Sequence, residues 1–101
     1  MIRFTVVIKA SYHNRDGSVR SRIMFSKSFL RPFVPQIRSE ICIESEDLQI
    51  SSMVTDVWWN ALDDAIMVHT ETICYSDGDV DLQREKHIKF LNDQFWCMVS
   101  Q

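Results

Sequence analysis

Ile2-Arg3-Phe4-Thr5-Val6-Val7-Ile8-Lys9-Ala10-Ser11-Tyr12 decides the fold. Ile2, Phe4, Val6, Ile8, Ala10 and Tyr12 fall on one side of an extended chain, and Arg3, Thr5, Val7, Lys9 and Ser11 on the other. That is the period of a strand with one buried face. A polar stretch follows from His13 to Ser18, in which Asp16-Gly17 supplies the positive φ that a hairpin turn requires. Alternation then resumes, with Val19, Ile23, Phe25 and Phe29 toward the core and Arg20, Arg22, Ser26 and Ser28 outward. The two runs predict a long hairpin whose solvent face carries Arg3, Lys9, Arg20 and Arg22.

Downstream, Pro32 and Pro35 each remove a ladder donor and restrict the preceding residue, so 30–38 reads as an extended connector outside the central sheet. Its Leu30, Phe33, Val34 and Ile37 are apolar enough to fold over an edge of the core. Glu40 to Glu44 reads as a short strand with Ile41 and Ile43 inward, and Ser45-Glu46-Asp47 as a turn. Leu48 to Trp59 begins in one register and ends in the other, which a bulge near Ser51-Ser52 would produce. Asn60 to Asp64 turns the chain into a strand from Ala65 to Tyr75, a second hairpin.

From Asp81 the apolar period lengthens: Ile88, Leu91, Phe95 and Met98 recur at three and four, Leu82 precedes them, and Trp96 and Val99 widen the stripe. This predicts a closing helix capped by Asp79 or Asp81, with His87 on its polar side. The expected fold is α+β, one domain over 1–101. It is a five-stranded antiparallel sheet or partial barrel, two hairpins plus a short strand, with one C-terminal α-helix packed on it.

A chain of 101 residues that is 46% apolar with two glycines and two prolines folds around one core and is not a linker. Apolar runs span only a few residues and the N-terminus lacks a signal-peptide layout, so a soluble cytoplasmic protein without a membrane partner is expected. Cys42, Cys74 and Cys97 lack the close spacing of a zinc knuckle and read as reduced, part-buried thiols; Cys74 with His69 would supply only two ligands.

Charge is sorted along the chain. Residues 1–38 carry eight cations against one acid, residues 39–83 eleven acids and no Lys or Arg, and the remainder three cations against two acids; plus seven, minus eleven and plus one give the net −3. Single-sign surfaces steer partners over a Debye length. If the strands meander, Glu46, Asp47, Asp77 and Asp79 collect at one end of the sheet. The competing arrangement sets Arg20 and Arg22 against Glu40 and Glu44 as cross-strand pairs that need no partner.

Catalytic and metal signatures are weak. Asp77-Gly78-Asp79-Val80-Asp81 starts like a calcium loop, but Leu82 stands where glycine is needed and Ile88 where a bidentate Glu belongs. The segment reads as a helix-capping turn. His69 and Glu71 share a strand face as a base and its orienting partner would, yet no nucleophile or cofactor motif accompanies them. Gly17 and Gly78 stand alone, so no loop cradles phosphate. Trp58 and Trp59 point to opposite faces: one enters the core, and the other is left outward unless the helix or connector covers it.

The expected function is a small non-enzymatic protein-binding module, an accessory subunit or inhibitor without cofactor or metal. Small acidic domains of phages and mobile elements often act this way. Glu46, Asp47, Asp63, Asp64, Asp77 and Asp79 would engage a basic protein, with Trp58 or Trp59 as apolar anchor. A homodimer is compatible with the same surface. One alternative is nucleic-acid binding through Arg3, Lys9, Arg20 and Arg22, disfavoured by a pI near 5.5 and the lack of interleaved aromatics. The other is a small enzyme or metal protein using His69 and Glu71 or the Asp77–Asp81 turn.

Overall fold

The computed structural model of the chain describes residues 1–46 and 48–99. Its elements are β1 (Ile2–His13), β2 (Val19–Arg31), β3 (Glu40–Glu44), β4 (Gln49–Asn60), β5 (Ala65–Thr70), β6 (Ile73–Tyr75), α1 (Val80–Asp93) and β7 (Cys97–Met98). The α+β class holds. The sheet, however, has seven strands in the order β3-β4-β5-β1-β2-β7, with β6 also on β1.

Strand parity explains why the sheet is mixed rather than purely antiparallel. β1 pairs antiparallel with β2, β3 with β4, and β4 with β5. Strands reversing in succession leave β1, β3 and β5 pointing the same way. When the sheet curls, β5 therefore meets β1 in parallel, Phe4 to Val7 beside Ile66 to His69, and β6 continues the seam at Ala10 to Tyr12. The pairing that a meander would make between β2 and β3 is absent among the described residues. Pro32 and Pro35 lead the chain across that gap instead, and the result is a half-barrel with one open seam.

The register locates the slips that alternation could not. The long strand expected at Ala65–Tyr75 breaks at Glu71-Thr72, between β5 and β6. In β4 the slip falls between Val54 and Asp56, not at Ser51-Ser52, which pair regularly with Cys42 and Ile41. A second irregularity between Tyr12 and His13 places Val19 opposite His13, so Val19 is exposed where an inward position was expected.

Phe4, Val6, Ile8, Ala10 and Tyr12 supply the floor of the core, joined by Ile23, Phe25, Ile50, Val54 and Val68 from the neighbouring strands. α1 packs across this concave face through Val80, His87, Phe90 and Leu91. The helix begins where the Asp79 side chain accepts the Leu82 amide, 3.1 Å away, as expected of the cap. It stops earlier than the apolar stripe implied. The Trp96 amide donates to the Leu91 carbonyl and the Phe95 amide to the Asn92 carbonyl, a Schellman stop with Phe95 left-handed at φ 66°. Trp96 then returns to the core, while Leu82, Phe95 and Met98 are exposed and Met98 belongs to β7. His87, expected on the polar side, is buried because the stripe is rotated toward the sheet.

At 14 residues and about 1.5 Å per residue, α1 is about 21 Å long, roughly half the span of the 13-residue β2. Its start is tied to Arg20 through Asp81, and its end to Lys27, whose ammonium donates to the Gln94 carbonyl. The concave face below Lys27 is therefore uncovered.

Candidate functional site

One ion pair joins charged side chains among the described residues: the Arg20 guanidinium grips Asp81 with two hydrogen bonds of 2.8 Å. These bonds hold the Asp81 carboxyl below the usual carboxylate range and push Arg20 up. The cross-strand pairs expected between Arg20 or Arg22 and Glu40 or Glu44 do not form, because β2 and β3 are not neighbours. Of the eleven acids in 39–83, Asp47 lies outside the described residues and Asp81 is paired; the other nine have no cation within ion-pair distance. Folding thus leaves these nine carboxylates without an ion-pair partner.

The acids separate into two groups. Strand directions place the 13–18 turn, Glu46, Asp77 and Asp79 at one end of the sheet, with the proline connector and the 60–64 turn at the other. Among the described residues, no three His, Cys, Asp or Glu side chains stand close enough to share an ion. The Asp77–Asp81 turn spends Asp79 on the helix cap and Asp81 on Arg20. All three cysteines are exposed, not part-buried, with Cys74 accepting from Ser11 at 3.4 Å.

The β4–β5 hairpin brings Trp58, Trp59, Asp63 and Asp64 together. Neither tryptophan enters the core. Trp58 stacks on His69 on the outer face, ring centroids 4.2 Å apart. Trp59 lies beyond the end of the core, 62% exposed, and its indole Nε1 donates to Asp64 at 3.0 Å. Asn60 steadies the tip: its side-chain amide donates to Asp63, and its carbonyl oxygen accepts the Leu62 amide. Asp64 at φ 48° closes the turn and leaves Leu62 93% exposed. Leu62 was not singled out from the sequence, and its position between Ala61 and two aspartates was the available signal.

His69 and Glu71 are not in contact through their side chains. The strand break separates them, no hydrogen bond links their side chains, and Asp56 stands opposite His69 instead. Burial, and then the charge of Lys9, hold the His69 pKa below its ordinary value. Arg3, Lys9 and Arg22 lie on the outer face of the first hairpin, while Arg20 is committed to Asp81.

The buried polar chemistry lies elsewhere. Tyr12, fully buried, shares a 2.6 Å hydrogen bond with His87 Nδ1, and Tyr75 stacks on the Tyr12 ring and lies tilted against the imidazole. Burial pushes both phenols up and the imidazole down, so all three groups are neutral at pH 7.

Among the described residues no helix is long and apolar enough to cross a membrane. No protein-family model matches the chain, and no curated protein and no solved structure matches it significantly.

Proposed function

We propose that this protein is a non-catalytic binding module that docks a basic protein surface through the tip of its β4–β5 hairpin. Trp59 and Leu62 would provide the apolar anchor, and Asp63 and Asp64 the charge. The observation that carries this reading is a large aromatic and a leucine, 62% and 93% exposed, on the same hairpin tip as two carboxylates that have no cation partner. Rigid exposed aromatics dominate interface energetics, and uncancelled like charge accelerates encounter with an opposite surface. Bonds from Trp59 and Asn60 fix the tip, so little order has to be gained on docking.

Glu46, Asp77 and Asp79 serve a different end of the molecule. The β5–β6 run from Ala65 to Tyr75 spans about 36 Å, several Debye lengths of about 8 Å, so the two acidic groups cannot share one contact.

Affinity capture from the native host tests the reading. Asp63→Lys with Asp64→Lys, and separately Trp59→Ala with Leu62→Ala, should lose a partner that the wild-type chain retains, with the melting temperature nearly unchanged. Glu46→Lys with Asp77→Lys should retain it. Equal capture by all variants refutes the proposal. Salt-sensitive retardation of nucleic acid, lost on Lys9→Glu with Arg22→Glu, would favour the basic hairpin instead.

A further inference from the structure

We propose that the open seam between β2 and β3 binds a small apolar monocarboxylate, with Lys27 and Arg31 holding the carboxylate and Phe4, Phe29, Phe33 and Trp96 enclosing the body. This site is separate from the hairpin tip and does not depend on the docking role.

The seam is an open cleft of about 540 Å³, within the range of small-molecule sites. Its back is β1, its sides are β2 and β3, Phe33 and Pro35 of the connector close it below, and Gln94 and Trp96 close it above. A compact molecule fits such a bowl better than a peptide passing through it. The aromatic lining is mutually packed: Phe4 stacks on Phe29 at 5.6 Å, and Trp96 meets Phe29 edge-on at 5.9 Å.

The cations carry the assignment. Phe25, Lys27, Phe29 and Arg31 share the concave side of β2, with Lys27 opposite Val6 and Phe29 opposite Phe4. Lys27 is half-buried and Arg31 lies exposed at the rim, so both heads face the mouth of the cleft. Neither meets a carboxylate here. The Lys27 ammonium lies 5.4 Å and the Arg31 guanidinium carbon 5.3 Å from the Phe29 ring centre, which preorders both heads. Lys27 spends one donor on the Gln94 carbonyl and Arg31 one on the Leu30 carbonyl, so two ammonium protons and most of the guanidinium fork remain available.

Glu40 and Glu44 on the facing lip limit the ligand's charge. A second negative group would be repelled across the cleft, which selects a monoanion over phosphate-rich molecules.

Titration calorimetry with decanoate, decanol and decylamine tests the site. Decanoate should bind saturably at one site and shift the Trp96 indole signal in two-dimensional NMR. Arg31→Met should weaken decanoate about tenfold, the loss of a charge-assisted bond, and leave decanol unchanged. Lys27→Met should do the same, and Arg31→Met stands alone if losing the Gln94 contact unfolds that variant. Absence of decanoate binding, tighter binding of decylamine, unchanged affinity in Arg31→Met, or shifts confined to the Trp58 and Trp59 indoles would overturn the proposal.

Discussion

Acidification just below neutral pH should destabilise the protein through His87. The imidazole is 6% exposed, is hydrogen-bonded to the Tyr12 hydroxyl, lies against Tyr75, and has no carboxylate partner to stabilise a positive charge. Burial lowers its folded pKa, whereas in the unfolded chain it titrates at about 6.5. Above that value both states are neutral and His87 contributes no pH dependence. As pH falls below it, the unfolded chain takes up a proton that the folded protein refuses, so stability is lost down to the folded pKa. The limiting slope is about 1.4 kcal/mol per pH unit, and integration from neutral pH to pH 5.5 gives at most about 1.4 kcal/mol, or roughly 5–10 °C in a domain of this size. His69, more exposed, adds to the loss in the same direction. Urea unfolding at pH 7.5 and 5.5 measures the effect. His87→Gln should start less stable but lose less between the two pH values than the wild type, by up to about 1.4 kcal/mol. An identical pH difference in the two proteins, or a wild type more stable at pH 5.5, would refute the buried neutral imidazole.

Other substitutions separate the contributions to the fold. Leu91→Ala, at the centre of the helix–sheet contact, should cost about 2–5 kcal/mol by urea unfolding. Asp79→Ala removes the acceptor for the Leu82 amide and should cost about 1 kcal/mol, with fraying at the helix start seen by hydrogen exchange. Phe95→Gly relieves a left-handed non-glycine residue that is 81% exposed, so it should stabilise the chain by about 1 kcal/mol. A loss of stability there would mean that the Lys27–Phe95 contact outweighs the backbone strain.

The sequence legibly carried every element whose apolar period was long and regular. The first hairpin, Glu40–Glu44 and the start of the helix at Asp79 stand where alternation and capping put them, while the helix ends earlier than its stripe. The parallel β1–β5 seam was legible only in hindsight. Parity fixes strand direction, but whether β2 pairs with β3 or β5 with β1 depends on where the proline connector leads, a long-range choice without a local signal. The slip at Thr55 is expected too early, at Ser51-Ser52, and the break at Glu71-Thr72 carries no signal, for a related reason: exposed Met53 and half-buried Met67 blur which face is buried. His87 was misplaced because a histidine reads as polar until Tyr12 is known to face it. At the candidate tip, Trp59, Asp63 and Asp64 were marked from residue type, whereas Leu62 needed the turn geometry. Lys27 and Arg31 went unmarked on the inward face, since charge alone suggested solvent.

The most direct test of the docking account is a photo-crosslinking amino acid at position 62, combined with capture from the native host at low and high salt. The tip account predicts one dominant, salt-sensitive adduct with a basic protein, abolished by Asp63→Lys with Asp64→Lys and unaffected by Glu46→Lys with Asp77→Lys. An adduct that survives reversal of the tip charges, or one that appears only from a crosslinker on the Arg3, Lys9 and Arg22 face, would contradict it.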